Sequence, residues 1–130
     1  MNPAYRLSLG LGLSLAFLAT LGLAQPIQPK ADDVFFERKV APIFKKNCVQ
    51  CHNPDKARSG LDLTTRDSTL TGGDKGPAIV VGESAKSLLA KMIRGPMPKM
   101  PQKAEPLSPA DVDLILHWID SGAPWPKELS

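Results

Sequence analysis

The sequence predicts an all-α fold on two observations: apolar residues recur at helical spacing in three separate stretches, and no strand–helix–strand alternation follows the first of them. The chain opens with Arg6 ahead of an apolar run from Leu7 to Leu23, which closes on Gly22-Leu23-Ala24 before Gln25. Small residues at positions 22 and 24 suit a cleaved signal peptide over residues 1–24. The alternative is an uncleaved membrane anchor, but the run is short for a span of about 20 apolar residues and is diluted by Gly, Ser and Thr. No cysteine stands at the cleavage position, so a lipid anchor is not supported. Residues 25–32 read as a mobile, proline-containing linker and residues 33–127 as one domain, because what remains after cleavage is enough for a single core and not for two.

In the first helix, Phe36, Val40, Ile43 and Phe44 follow the i, i+4, i+7, i+8 pattern, with Asp32 or Asp33 as the expected cap. Pro42 lies inside this pattern and removes the bond its amide would make to the carbonyl of Arg38, so a kink or restart near Ala41 is expected. From Asn53 to Gly76 the chain is rich in Gly, Asp, Thr and Lys and reads as a loop with at most one short turn. Gly82-Glu83-Ser84 leads into a second helix with Leu88, Leu89, Met92 and Ile93 on its core face and Gly95 at its end. Pro96-Met97-Pro98-Lys99-Met100-Pro101 is too dense in proline for helix or central strand and reads as a stiff, extended loop. The last helix carries the clearest signals. Ser108-Pro109-Ala110-Asp111 supplies a cap, a proline at the first helical position and an acidic residue at the third. Val112, Ile115, Leu116 and Ile119 form its buried stripe, Trp118 flanks them as a packing residue, and Gly122 stops it. His117 falls on the opposite side, facing solvent.

The chemistry is concentrated in Cys48-Val49-Gln50-Cys51-His52, a C-x-x-C-H pentapeptide of the kind that attaches c-type haem. Two thiols at this spacing can each form a thioether to the porphyrin, and the adjacent imidazole can serve the iron as proximal ligand. Three other readings fit the motif less well. A thioredoxin-like redox pair wants a βαβ setting, and the helical pattern here precedes the cysteines. A structural zinc site wants four ligands. The chain offers Cys48, Cys51, His52 and His117, of which two are adjacent and His117 points the wrong way. A disulfide closing a two-residue loop would constrain the fold little. A low-spin haem would take its sixth ligand from a methionine. Met1 is lost with the leader and Met92 sits on a core face, which leaves Met97 and Met100.

Aromatic content is only 5%, so a haem would supply a large share of the apolar core and the haem-free chain is expected to be largely disordered. The leader removes one of 16 basic residues and none of 13 acidic ones, so the net charge falls from +3 to +2, and two haem propionates would bring it near neutrality. The sequence pI of about 9.0 is therefore not read as nucleic-acid binding, which wants a clustered basic face with aromatic stacking residues. Lys45, Lys46 and Lys56 could form a basic rim near the attachment motif, although a plain solvated surface explains them equally well.

Taken together, these stretches resemble a class I cytochrome c, specifically the planctomycete-type cytochrome c domain. The matching segments are Lys39 to Phe44 leading into the haem motif, Gly60-Leu61-Asp62-Leu63-Thr64-Thr65, Gly72-Gly73 and Gly76 to Gly82. They continue with Ser87-Leu88-Leu89, Met100-Pro101, Leu107-Ser108 and Trp118 to Pro126. The resemblance implies a small class I fold of three main helices around one covalent haem, with the first and last helices crossing at the haem. It implies Met100 as the sixth ligand, from a Met-Pro-Pro loop in which Gln102 replaces the second proline. It also implies that the Pro77 carbonyl, within Gly76-Pro77, accepts from His52 and fixes its tautomer.

The expected protein is therefore a periplasmic or otherwise extracytoplasmic, monomeric monohaem carrier of single electrons between redox partner proteins. It would not be an enzyme, would bind no nucleic acid, and would meet a membrane only through an uncleaved leader. Cys48 and Cys51 would attach the haem, and His52 and Met100 would ligate its iron. The main rival is a haem enzyme or diatomic-gas sensor with an open or displaceable sixth position. A haem-stabilised interaction module within a larger protein is a third class.

Overall fold

The computed structural model describes residues 30–126, 128 and 129. The expected leader, and all of the linker before Lys30, lie outside the described residues. Among the described residues the structure is helical, with no strand beyond an isolated Gly73–Gly76 bridge. None of its helices is long and apolar enough to cross a membrane.

The first helical stretch runs unbroken from α1 (Ala31–Phe35) through a π-helical turn (Phe36–Val40) into α2 (Ala41–Asn47). Pro42 is the physical reason for the π turn. It cannot donate to the carbonyl four residues back, and its ring would collide with that carbonyl. The chain widens instead, so that the Ala41 N–H donates to the Phe36 carbonyl five residues back, and Pro42 falls in the opening turn of α2, where no donor is missed. The expected restart at Ala41 is thus realised without a break. The expected cap is not. Lys30 occupies the N-cap position without a side-chain bond, and Asp32 and Asp33 lie in the first turn, where their charges face the positive end of the helix dipole.

The stretch expected to be loop contains more order than its composition suggests. A 3₁₀ turn (Arg58–Gly60) is followed by α3 (Arg66–Thr71), whose N-cap Thr65 accepts from Ser68 N at 3.1 Å. Arg66 then donates from Nε to the Ala123 carbonyl at 3.0 Å, tying α3 to the chain that leaves the last helix. Gly72 and Gly73 close this segment by backbone approach. A Cβ on Gly72 would stand 1.9 Å from the Gly76 oxygen, and one on Gly73 would stand 2.3 Å from the Ser59 oxygen. Only glycine admits that contact.

Helix α4 (Leu88–Ile93) starts later than Gly82-Glu83-Ser84. Ser84 is engaged elsewhere, with its N–H and hydroxyl both donating to the Asp120 carboxylate at 2.8 and 2.9 Å. Those two bonds hold the Asp120 carboxyl below its ordinary range. The Ser87 hydroxyl accepts from Val80 N, so it closes the preceding turn and does not cap α4. Helix α5 (Pro109–Asp120) forms as its signals dictate, with Ser108 accepting from Asp111 N and Gly122 leaving it at φ +99°.

The core is an aromatic cluster behind these elements. Phe36 and Phe44 reach across to Trp118 and Trp125 at ring-centroid distances of 4.6 to 5.7 Å, and Val40, Ile115 and Ile119 are fully buried beside them. Trp118 is a packing residue, as expected, and its Nε1 donates to the Pro124 carbonyl at 2.8 Å. His117 is exposed and stands edge-on to Phe35. All five aromatic side chains of the described residues therefore pack around the contact between the first helical stretch and α5. A low aromatic percentage conceals a concentrated core.

Candidate functional site

On another side of this core lies a cavity of about 550 Å³, within the range of cofactor sites. Its wall contains Cys48, Cys51, His52, Met92 and Met100, with Leu61, Leu63, Ala78, Leu88, Leu89, Ile93 and Leu107 as apolar lining. No Phe, Tyr or Trp and no residue of α5 or the π turn lines it. The first and last helices thus meet behind the cavity, at the aromatic cluster, and not at its mouth.

The cysteine motif forms where α2 ends. Cys48 N and Val49 N both donate to the Phe44 carbonyl, at 2.8 and 3.0 Å, and Cys51 N and His52 N both donate to the Cys48 carbonyl, at 3.1 Å. This tight turn gathers both thiols and the imidazole into one wall. Three further bonds hold it: Leu63 N to the His52 carbonyl at 3.0 Å, Arg58 N to the Cys51 carbonyl at 3.3 Å, and Asn53 Nδ2 to the Val49 carbonyl at 2.6 Å. Both cysteines are free thiols. Burial pushes the Cys48 thiol up to about 12, so it is fully protonated at neutral pH. Among the described residues, no three His, Cys, Asp or Glu side chains converge as metal ligands.

Another part of the wall comes from α4 and the loop after it. Lys99 N and Met100 N both donate to the Met92 carbonyl, at 2.9 and 3.0 Å, which folds the proline-rich loop back on the end of α4 and puts Met100 in the cavity wall. Met97 is 88% exposed and has no part in that wall. The structure therefore separates the two methionines left open by the sequence. It also changes the reading of Met92, which is half-buried and lines the cavity on the same helix face as Leu88. Helical spacing alone could not reveal this, because the apolar face of α4 is shared between Ala90, in the core cluster, Leu89 and Ile93, in both the cluster and the cavity wall, and Leu88 and Met92, in the cavity wall.

Gly76 lines the cavity, whereas Pro77 is exposed and outside its wall. His52 Nδ1 is buried without a hydrogen-bond partner, so the imidazole-to-Pro77 bond implied by the resemblance is not formed in this structure. An imidazole with an orphaned ring nitrogen, two thiols and a thioether around one apolar-walled cavity is a donor set that fits a c-type haem.

No curated protein and no solved structure is significantly similar to the chain. Residues 48–103 match the family model described as Planctomycete cytochrome C. That span opens on Cys48 and includes all of the cavity wall except Lys46, Asn47, Ala104 and Leu107. Over residues 48–103 the chain is thus similar to a planctomycete-type cytochrome c domain.

Proposed function

We propose that this protein is an exported, monomeric monohaem cytochrome c that carries single electrons between larger redox proteins, with its iron held by His52 and Met100. The observation that carries this reading is the convergence of Cys48, Cys51, His52 and Met100 on one cavity while Met97 is turned to solvent. A covalent haem bound there would supply a one-electron iron couple. Export is supported by the leader-like residues 1–24 and by the typically extracytoplasmic setting of cytochrome c domains, to which residues 48–103 are similar.

The chain's own residues would do the rest. Cys48 and Cys51 would anchor the group through thioethers. The turn that holds them also fixes the backbone of His52 through Leu63 N. The Pro77 carbonyl, next to cavity-lining Gly76, is the proposed acceptor for His52 Nδ1, where it would set the tautomer and raise ligand basicity. The Met92 carbonyl holds Met100 in place by its backbone N–H. With a haem bound, the leucine-rich part of the wall would shield it from water, and together with a methionine ligand would raise the reduction potential.

Attachment is tested by acidified organic extraction followed by denaturing mass spectrometry. One haem is expected to stay on the exported wild-type chain and on each of Cys48→Ala and Cys51→Ala that matures, and to be lost from the double variant. Complete extraction from the wild type would show that the motif does not bind haem covalently.

A further inference from the structure

The C-terminal end of α5 gathers bonds from two neighbouring segments. On one side, Arg66 of α3 donates from Nε to the Ala123 carbonyl at 3.0 Å. On the other, Gly82 N donates to the Ile119 carbonyl at 2.9 Å, and Ser84 donates from N and Oγ to the Asp120 carboxylate at 2.8 and 2.9 Å. The Ser84 pair is the strongest of these ties, because each carboxylate oxygen takes one bond and the acceptor is ionised. Ser84 is itself buried, so removing the carboxylate strands two donors that water reaches poorly.

What Ser84 holds is the approach to α4. The Ser84 and Glu83 carbonyls accept from Ser87 N at 3.1 and 3.2 Å, and the Ser87 hydroxyl accepts from Val80 N at 2.9 Å. Ser87 is the N-cap residue of α4, and its carbonyl takes the bond from Lys91 N at 3.2 Å. The other end of the same helix supplies the Met92 carbonyl, which accepts from both Lys99 N and Met100 N. A helix this short is about 9 Å long, so a shift at its start reaches its end undiminished. A continuous run of hydrogen bonds therefore leads from Asp120 through Ser84, Ser87 and α4 to the backbone of Met100, although Asp120 does not line the cavity.

We infer that Asp120 is a positioning residue for the sixth ligand: acting through Ser84 and α4, its carboxylate sets how firmly Met100 stays on the iron. This rests on the reading of Met100 as that ligand. Without the carboxylate the start of α4 loosens, and the fraction of molecules with Met100 off the iron rises. The Arg66 tie ends on the same part of α5 but leads to α3, so it has no such route to Met100.

Imidazole binding to the ferric, haem-loaded protein tests the inference. Imidazole takes the sixth position only where Met100 has left it, and loss of the far-red methionine-to-iron band follows the exchange. Asp120→Ala is expected to lower the imidazole concentration at half-saturation about tenfold, and Asp120→Asn, which keeps one acceptor oxygen, roughly threefold. Ser84→Ala should also lower it roughly threefold, and adding Ser84→Ala to Asp120→Ala should change little more, since both act through one contact. Arg66→Ala is the control: it should lower stability to urea while moving the imidazole half-saturation less than about twofold. An unchanged imidazole affinity in Asp120→Ala would overturn the inference. So would an equal gain in Arg66→Ala, which would show that lost stability alone frees Met100. Should Asp120→Ala not fold, Asp120→Asn and Ser84→Ala decide the matter, and wild-type affinity in both would overturn it. A wild type without the far-red band would sink the Met100 ligand reading as well, whereas a normal band that ignores Asp120 would sink the positioning role alone.

Discussion

Replacing Met100 by alanine is expected to convert a low-spin haem into a high-spin one that binds carbon monoxide when reduced and has a lower reduction potential. Met97→Ala is expected to leave the spectrum unchanged. The contrast follows from position. Met100 lines the cavity and is held there by its backbone bond to the Met92 carbonyl, whereas Met97 is 88% exposed on a proline-flanked tip. Loss of a thioether ligand opens the sixth position and removes the contribution that raises the potential of a His/Met site. Met92→Leu is the necessary control, because Met92 shares the cavity wall. As a swap that nearly conserves volume, it should cost less than about 1.5 kcal/mol and leave the haem low-spin. Visible spectra of the three variants, with and without carbon monoxide, decide the assignment. A high-spin Met97→Ala or Met92→Leu beside a low-spin Met100→Ala would overturn it.

Trp118→Ala is expected to be the most damaging single change to stability, at about 3–5 kcal/mol. Trp118 is fully buried and contacts Phe36, Phe44 and Trp125, so its removal opens a large cavity where the first helical stretch meets α5. It also strands the Pro124 carbonyl, which accepts from its Nε1. Urea unfolding of the haem-loaded protein measures the loss, and the covalent haem stays on the chain throughout. Because Trp118 does not line the cavity, the folded variant should keep the wild-type spectrum. A loss below about 1 kcal/mol would contradict the view that this cluster is the core.

The elements that were legible in advance are those whose signals are local. The cap, proline and acidic residue of Ser108-Pro109-Ala110-Asp111 and the stripe ending at Gly122 define α5 without help from the rest of the chain. The cysteine motif states its chemistry through spacing alone. What stayed hidden depends on tertiary contacts. Helix α3 is only six residues long and lacks an apolar stripe, so it rests on the Thr65 cap and on the Arg66 bonds to the chain after α5. The late start of α4 follows from Ser84 and Ser87 bonding to distant or non-helical partners, Asp120 and Val80. No pattern in the sequence announces that α5 lies behind the cavity, that Met92 faces into it, or that residues as far apart as Lys46 and Lys103 line it.

The most direct test of a His/Met-ligated electron carrier is the optical spectrum of the exported, haem-loaded wild type, ferric and ferrous, with and without carbon monoxide. Low-spin spectra in both states, the far-red methionine-to-iron band in the ferric form, and no response of the ferrous form to carbon monoxide are expected. A high-spin ferric haem that binds carbon monoxide readily once reduced would contradict His/Met ligation and assign the cavity to ligand binding or catalysis.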